Sequence, residues 1–214
     1  MIAGTRGEAY CRGRFKRGCD AAAGAIALLA LSPLLILLAA AVLLAGGRPI
    51  LFRQERVGLD GRPFFILKFR TMRRGSETGL PVTGSGDARI TPLGRLLRSA
   101  KLDELPQLVN VVRGHMSLVG PRPEVPRYVA AYSPDERRVL RTRPGLTDPA
   151  TLRFVDEERL LGAVPPEGRE RFYVEEVLPK KLALNLEYLD RAGAGYDLRL
   201  ILETMASLLR PGRA

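Results

Sequence analysis

Between Ala21 and Gly47 the chain carries no charged side chain, and no other stretch limits its fold as strongly. As a helix it would reach about 40 Å, more than the roughly 30 Å of a bilayer's hydrocarbon core. Three readings compete. A cleaved signal peptide has a shorter apolar region, about 7–15 residues, although the Ala-rich end imitates a cleavage site. A single spanning helix is the ordinary answer at this length. The third is a re-entrant helix that leaves the membrane by the face it came in. Two features favour the third. Ser32-Pro33 lies near the middle of the stretch. There proline removes a backbone hydrogen bond and the serine hydroxyl can cover the freed carbonyl. Both flanks are also basic: Arg12, Arg14, Lys16 and Arg17 before, Arg48, Arg53, Arg56 and Arg62 after. Basic flanks stay cytoplasmic. A straight span exports one of them; a returning helix exports neither.

The basic surplus extends beyond the flanks. Over 214 residues, 34 Lys and Arg stand against 23 Asp and Glu, a formal net charge of +11. That length suits one domain with room for an appendage, and that charge calls for a partner with phosphates: nucleic acid, anionic lipid or a phosphorylated substrate. With no Trp and 6% aromatic residues there is little to stack bases on, which weighs against nucleic acid. Cys11 and Cys19 both precede the apolar stretch and there is a single His. Neither a zinc pattern nor a disulfide framework is available.

After Gly47-Arg48-Pro49, a β-type segment from Ile50 to Val57, an Asp60-Gly61 turn and the run Phe64 to Phe69 predict a hairpin. It carries Lys68, Arg70, Arg73 and Arg74. Lys68 sits inside the apolar run and is the better phosphate candidate; Arg73 and Arg74 read as a solvated basic edge. Gly75–Gly86 lacks the Lys-Ser/Thr ending of a phosphate-binding loop. Thr91-Pro92 opens a helix with Leu93, Leu96, Leu97 and Ala100 on one face and Arg95 and Arg98 beside them. Ser133 caps another helix that Arg143-Pro144-Gly145 ends, and Leu146–Val155 reads as irregular or extended. Arg171–Asp190 reads as a helix broken at Pro179. Leu198, Ile201, Leu202, Met205, Leu208 and Leu209 form a last amphipathic helix opened by Asp197, packed on the domain or lying in the membrane interface.

The paired carboxylates Asp103 and Glu104 organise the rest. Leu105, Leu108, Val109 and Val112 recur at helical spacing, and Pro106 fits only the first turn. Asp103 or a neighbour then caps a helix whose free N–H groups favour anions. For a lone Asp-Glu pair, a plain cap with a solvated Glu is the ordinary explanation. The surrounding Arg95, Arg98, Lys101, Arg113 and Arg122 change the balance. Arg122 stands between Pro121 and Pro123, a guanidinium on stiff backbone suited to a phosphate fork, with a structural turn as the alternative.

Together, Phe52-Arg53-Gln54, Lys68-Phe69-Arg70-Thr71-Met72, Ile90 to Arg95, Leu102 to Gln107, Met116 to Pro123 and Arg143-Pro144-Gly145 resemble the small monotopic phosphoglycosyl transferases, the bacterial sugar transferase family. The likeness runs from about Arg14 to Arg210. It implies transfer of a sugar-1-phosphate from a nucleotide diphosphate sugar, with UDP expected as the nucleotide, to polyprenyl (undecaprenyl) phosphate. That would be the first membrane step of polysaccharide or glycoconjugate assembly. Asp103 would be the nucleophile, forming an aspartyl phosphosugar, with Glu104 its dyad partner and Mg2+ held at Asp103. Lys68, Arg98 and Arg122 would lie at the phosphate. The implied architecture is α+β, mostly α: a tail (1–13), a re-entrant helix hairpin broken at Ser32-Pro33 (14–47), and a helical catalytic domain (48–214) with a small β-hairpin and interfacial amphipathic helices. It would sit on the cytoplasmic face of the bacterial inner membrane, dipping into one leaflet, with no nucleic acid partner; a homodimer is compatible. Long members add transmembrane helices and a further domain, and this chain is expected to be the catalytic unit alone. His115 stands where an acidic residue is usual, and Asp148-Pro149-Ala150-Thr151-Leu152 replaces a Gly-Trp type segment, leaving the sugar open. The alternative is a basic, membrane-anchored scaffold or nucleic-acid-binding protein whose dyad is only a cap. A polytopic-type glycosyl transferase without a covalent intermediate would need more transmembrane segments.

Overall fold

The computed structural model describes residues 4–76 and 83–208. Where a tail is expected, helix α1 (Arg6–Arg12) forms, its first turn capped by Thr5, whose hydroxyl accepts from the Glu8 N–H. Cys11 is buried in the main core. The charge-free stretch lies within one helix, α2 (Arg14–Gly46). It does not break into a hairpin at Ser32-Pro33. Pro33 leaves the Leu29 carbonyl without its helical donor, and the Ser32 hydroxyl donates to that oxygen at 2.8 Å. Repairing the one missing bond lets the helix continue.

Strands β1 (Leu51–Val57) and β2 (Pro63–Phe69) pair antiparallel, from Leu51 opposite Phe69 to Val57 opposite Pro63. The connection is longer than the expected two-residue turn. The Gly58 N–H donates to the Arg62 carbonyl at 2.8 Å around a loop in which Asp60 and Gly61 have φ of 54° and 77°. Helix α3 (Pro92–Ser99) starts as its sequence predicts, with Thr91 Oγ1 accepting from the Gly94 N–H. Leu97 is buried and Leu93 packs beside it, but Leu96 is exposed rather than sharing their face.

A 3-10 turn (Leu102–Glu104) precedes helix α4 (Gln107–Arg113), which Gly114 ends at φ 83°. Asp103 is therefore not the helix cap; Pro106 holds that position. Lys101, in the left-handed region at φ 55°, bends the chain first and commits the dyad to the tighter turn. Next come β3 (Ser117–Val119), α5 (Pro126–Val129) and, where a helix is expected, a 3-10 helix (Glu136–Arg141). Ser133 and Glu136 cap each other reciprocally at its start. The stretch expected to be irregular or extended begins in β4 (Gly145–Thr147), parallel to β3, and then holds a helix, α6 (Pro149–Arg153), capped by Asp148. Helices α7 (Glu157–Gly162) and α8 (Pro166–Phe172) lead through a π-helical turn (Tyr173–Val177) into α9 (Leu178–Arg191). The chain accommodates Pro179 by that wider turn just before it, not by a break.

Helix α10 (Ala194–Leu208) completes the described chain, with Leu209 outside it. Asp197 does not open this helix. It is buried in the first turn, accepting from Lys16 Nζ at 2.6 Å, Tyr188 at 2.7 Å and Tyr10 at 3.1 Å. Leu198, Leu202, Met205 and Leu208 are exposed. The main core gathers Val119, Leu161, Val177, Tyr188 and Leu189.

Helix α2 is tied to this body at both ends. Arg17 donates to the Val111 and Val112 carbonyls at 2.9 and 2.7 Å, and the Ser117 hydroxyl donates to Asp20 at 2.6 Å. A Cβ on Gly24 would stand 3.3 Å from Val111 and Val112, so the two helices meet closely there. Further along, Leu38 and Val42 are buried with Phe69 and Leu97. Arg70 then donates to the Gly46 and Gly47 carbonyls at 2.5 and 2.7 Å. The outer face, including Ile26, Leu29, Ile36, Leu37 and Leu44, is exposed.

Candidate active site

A cavity of about 620 Å³ opens between the hairpin, α3, the dyad turn, α7 and α10. The five predicted site residues reach it from four parts of the chain. Lys68 comes from the end of β2, Arg98 from the last turn of α3, Asp103 and Glu104 from the 3-10 turn, and Arg122 from the loop after β3. The sequence therefore brings all five together, although they span more than fifty positions.

The Arg122 loop is braced by the motif read as a helix end. The Gly145 N–H donates to the Pro121 carbonyl at 2.9 Å, and the Ser117 N–H to the Pro144 carbonyl at 2.8 Å. Here the two segments approach so closely that a Cβ on Gly120 would overlap the Arg143 carbonyl and one on Gly145 the Gly120 backbone. Arg143-Pro144-Gly145 thus sets where Arg122 points.

The two carboxylates have different surroundings. Glu104 Oε1 accepts from Lys68 Nζ at 2.6 Å and from Arg122 Nη2 at 2.5 Å. Burial opposes its charge most, yet Arg122 and Lys68 outweigh burial and hold its pKa well below the ordinary value. Burial lowers the Lys68 pKa, while the Glu104 charge raises that of Arg122. Asp103, with 6% of its surface exposed, accepts no side-chain hydrogen bond among the described residues. Burial, with the Glu104 charge adding to it and Lys68 and Arg98 opposing, raises its pKa to about 6. The dyad therefore pairs one carboxylate bound by two cations with one that accepts no side-chain hydrogen bond among the described residues and is reactive when ionised.

Arg98 is also engaged. Its Nε donates to Thr71 at 2.9 Å and its Nη1 to Glu158 at 3.0 Å. The sequence places Arg56 only in the basic flank and gives no site role to Glu124, Glu157, Glu158, Tyr173 or Lys181, yet all six line the same cavity. Two signals were available. Glu124 directly follows Arg122-Pro123, and Lys181 falls on the apolar stripe of α9 with Leu178, Leu182 and Asn185, all buried. His115, the departure at a position expected to be acidic, is exposed, with its ring centroid 6.0 Å from that of Phe64.

Among the described residues no cluster of three or more His, Cys, Asp or Glu could cage a metal ion. Magnesium is normally held by one or two carboxylates together with substrate phosphates. The free oxygens of Asp103 fit that shared kind of site; Glu104, already bound by two cations, does not.

The family model described as bacterial sugar transferase matches residues 11–211. A UDP-glucose:undecaprenyl-phosphate glucose-1-phosphate transferase of Caulobacter vibrioides is 39% identical over 203 residues, 93% of this chain and 71% of the relative. A protein of the same name from Xanthomonas campestris is 34% identical over 189 residues, 86% of this chain and 36% of the relative. A UDP-N-acetylgalactosamine-undecaprenyl-phosphate N-acetylgalactosaminephosphotransferase of Aeromonas hydrophila is 44% identical over 118 residues, 55% of this chain and 28% of the relative. The chain spans most of the first relative's length and the smaller part of the other two.

Proposed function

The chain belongs to the bacterial sugar transferase family, a family of phosphoglycosyl transferases, and we propose that it moves a sugar-1-phosphate from a UDP-sugar to undecaprenyl phosphate through a phosphosugar carried on Asp103. The observation that carries this reading is the contrast within the dyad. Asp103 accepts no side-chain hydrogen bond among the described residues, while Glu104 beside it is bound by both Lys68 and Arg122.

An Asp103 oxygen attacks the phosphorus that bears the sugar. The bond from that phosphorus to the bridging oxygen breaks, and the nucleoside monophosphate leaves with the electron pair. An oxygen of the lipid phosphate then attacks the same phosphorus, the acyl phosphate bond breaks and the carboxylate is restored. Covalent catalysis divides one transfer into two easier ones. Lys68, Arg98 and Arg122 would meet charge growing on the phosphoryl oxygens, each contributing about 2.7–4 kcal/mol by analogy with oxyanion-hole donors. Glu104 holds Lys68 and Arg122 in place. Magnesium bound by Asp103 and the diphosphate would neutralise the phosphate charge.

The re-entrant membrane path is part of the same proposal. Between the contacts of Gly24 and Leu38 with the body, α2 rises only about 21 Å, short of the roughly 30 Å that a straight span must cross. Residues 14–47 would dip into one leaflet, with residues 48–214 and the exposed leucines of α10 at the cytoplasmic interface. The lipid phosphate also lies at that interface.

Mass spectrometry of the protein treated with UDP-sugar tests the reading. A phosphosugar on Asp103 and release of UMP are expected, with neither in Asp103→Asn. Turnover with no adduct on any residue, or an adduct on Glu104, would overturn the assignment; a scaffold would release no UMP.

A further inference from the structure

We infer that the far wall of the cavity, built from Glu124, Glu157, Tyr173 and Lys181, is the subsite that holds an uncharged glycosyl ring by its hydroxyls. The inference rests on the donor reading above and names the part of the donor that this wall recognises.

The four side chains form a second polar cluster, separate from the one around Glu104. Lys181 Nζ donates to Glu157 Oε2 at 2.8 Å and to the Tyr173 hydroxyl at 3.3 Å, and lies 3.8 Å from Glu124 Oε1. The Tyr173 hydroxyl donates to Glu124 Oε1 at 2.6 Å. Arg56 Nη1 stands 3.5 Å from Glu124 Oε2. All of these residues line the same cavity as Asp103.

The cluster begins beside the phosphoryl pole. Glu124 is two residues from Arg122 across Pro123, and Arg56, which faces Glu124, donates to the Pro123 carbonyl at 3.0 Å. A sugar attached to the phosphorus under attack has to lie against whatever borders the phosphate cations, and this wall borders Arg122.

Folding alone gives little reason to keep such a cluster. A buried ion pair often stabilises no better than apolar residues of similar size. Glu124, Tyr173 and Lys181 are nevertheless buried here, while Glu157 is partly open to the cavity. What the cluster supplies is paired donors and acceptors facing the cavity, suited to ring hydroxyls. Its charge is balanced, Glu124 and Glu157 against Arg56 and Lys181. With no surplus cation, it favours a neutral hexose over one bearing its own carboxylate.

The test uses the full chain in membranes with Glu157→Gln and Tyr173→Phe. UDP-hexoses epimeric at one ring carbon, a 2-acetamido counterpart and a uronosyl donor are compared, and UMP inhibition is measured in parallel. A site that bonds a hydroxyl discriminates strongly against analogues that misplace it, so the best-to-epimer ratio of kcat/KM should fall about ten-fold or more while UMP inhibition changes less than about two-fold. An equal fall for all donors would reduce the cluster to a structural role. Weakened UMP inhibition would move it to the nucleotide end. Preference of the parent protein for the uronosyl donor would also overturn the inference. Tyr173→Phe keeps the ring packing and carries the test if Glu157→Gln melts early. If the parent protein neither binds nor turns over any nucleotide sugar, the donor reading itself has failed; if it turns over and the variants keep its ratios, only the subsite has.

Discussion

Asp103 and Glu104 are adjacent in sequence, yet their surroundings push their pKa values in opposite directions. A protonated carboxyl is a poor nucleophile, so turnover should fall as pH drops through about 6, provided donor stays saturating. Undiminished turnover in Asp103→Asn would remove Asp103 from the attack, whereas a flat profile in the parent protein would mean that magnesium and donor hold Asp103 ionised. Stability follows with the opposite sign. The folded protein binds the Asp103 proton more tightly than the unfolded chain does, so ionising it costs stability as pH rises from about 4 to about 6. Asp103→Asn should therefore melt above the parent protein at pH 7.5, by on the order of 2–3 kcal/mol at 1.36 kcal/mol per unit, with the gap closing below pH 4. Glu104, lowered instead, contributes stability that is present above its ordinary pKa and lost as pH falls through its folded one. Glu104→Gln strands Lys68 and Arg122 and should destabilise by about 3–5 kcal/mol. Thermal melting of both variants across pH decides; matching shifts would mean that the dyad is electrostatically symmetric. The sequence made the candidates visible, because Lys68, Arg98, Arg122 and the dyad each interrupt a local pattern. It could not show their pairing, since whether Lys68 meets Glu104 or a phosphate depends on how the hairpin packs against the dyad turn.

Among the elements, α3 transmits position most directly to the site. Gly94 packs so tightly on the Thr71 carbonyl that a Cβ there would overlap it. Thr71 in turn receives the Arg98 Nε bond. Gly94→Ala should push α3 outward, move Arg98 and lower kcat about ten-fold or more while raising donor KM, at 1.4 kcal/mol per decade. Unchanged kinetics would mean that Arg98 is not placed by this contact. For α2, cysteine tags at the N-terminus and after Arg56 should both report the cytoplasm, and opposite sides would sink the re-entrant path. Pro33→Ala restores the missing helical donor to Leu29 and should shift some molecules to a spanning form. Where local chemistry decided an element, the sequence displayed it. The Thr91 helix start and the hairpin pairing are visible because each rests on a few adjacent residues. Strand β4 has only three residues and no period to read; β3 defines it by pairing. Asp197 resembles a cap from sequence because nothing local reveals that Lys16, Tyr10 and Tyr188 converge on it.

Across the whole molecule, the net charge of +11 separates into two populations with different work. Inside the cavity Lys68 and Arg122 share Glu104, and Arg98 is held by Glu158, so each is fixed in direction before any phosphate arrives. Outside it, Arg73 and Arg74 follow the hairpin, are exposed and are free to face an anionic headgroup layer. Fixed charges act through geometry and depend little on salt. Exposed ones act through the field, which decays within a Debye length of about 10 Å at 0.1 M salt. Each exposed arginine near an anionic membrane is worth about 1 kcal/mol of attraction. Turnover should therefore fall about ten-fold or more when Lys68, Arg98 or Arg122 is replaced by Ala, a loss of at least about 1.4 kcal/mol. That loss should be the same on neutral and anionic vesicles and at low and high salt. Arg73→Ala and Arg74→Ala should keep the turnover seen on neutral vesicles and lose only the advantage that anionic vesicles give the parent protein at low salt. Measuring all five on both vesicle types separates the populations. Equal losses at all five positions, each relieved by salt, would mean that bulk charge rather than a built site governs the rate.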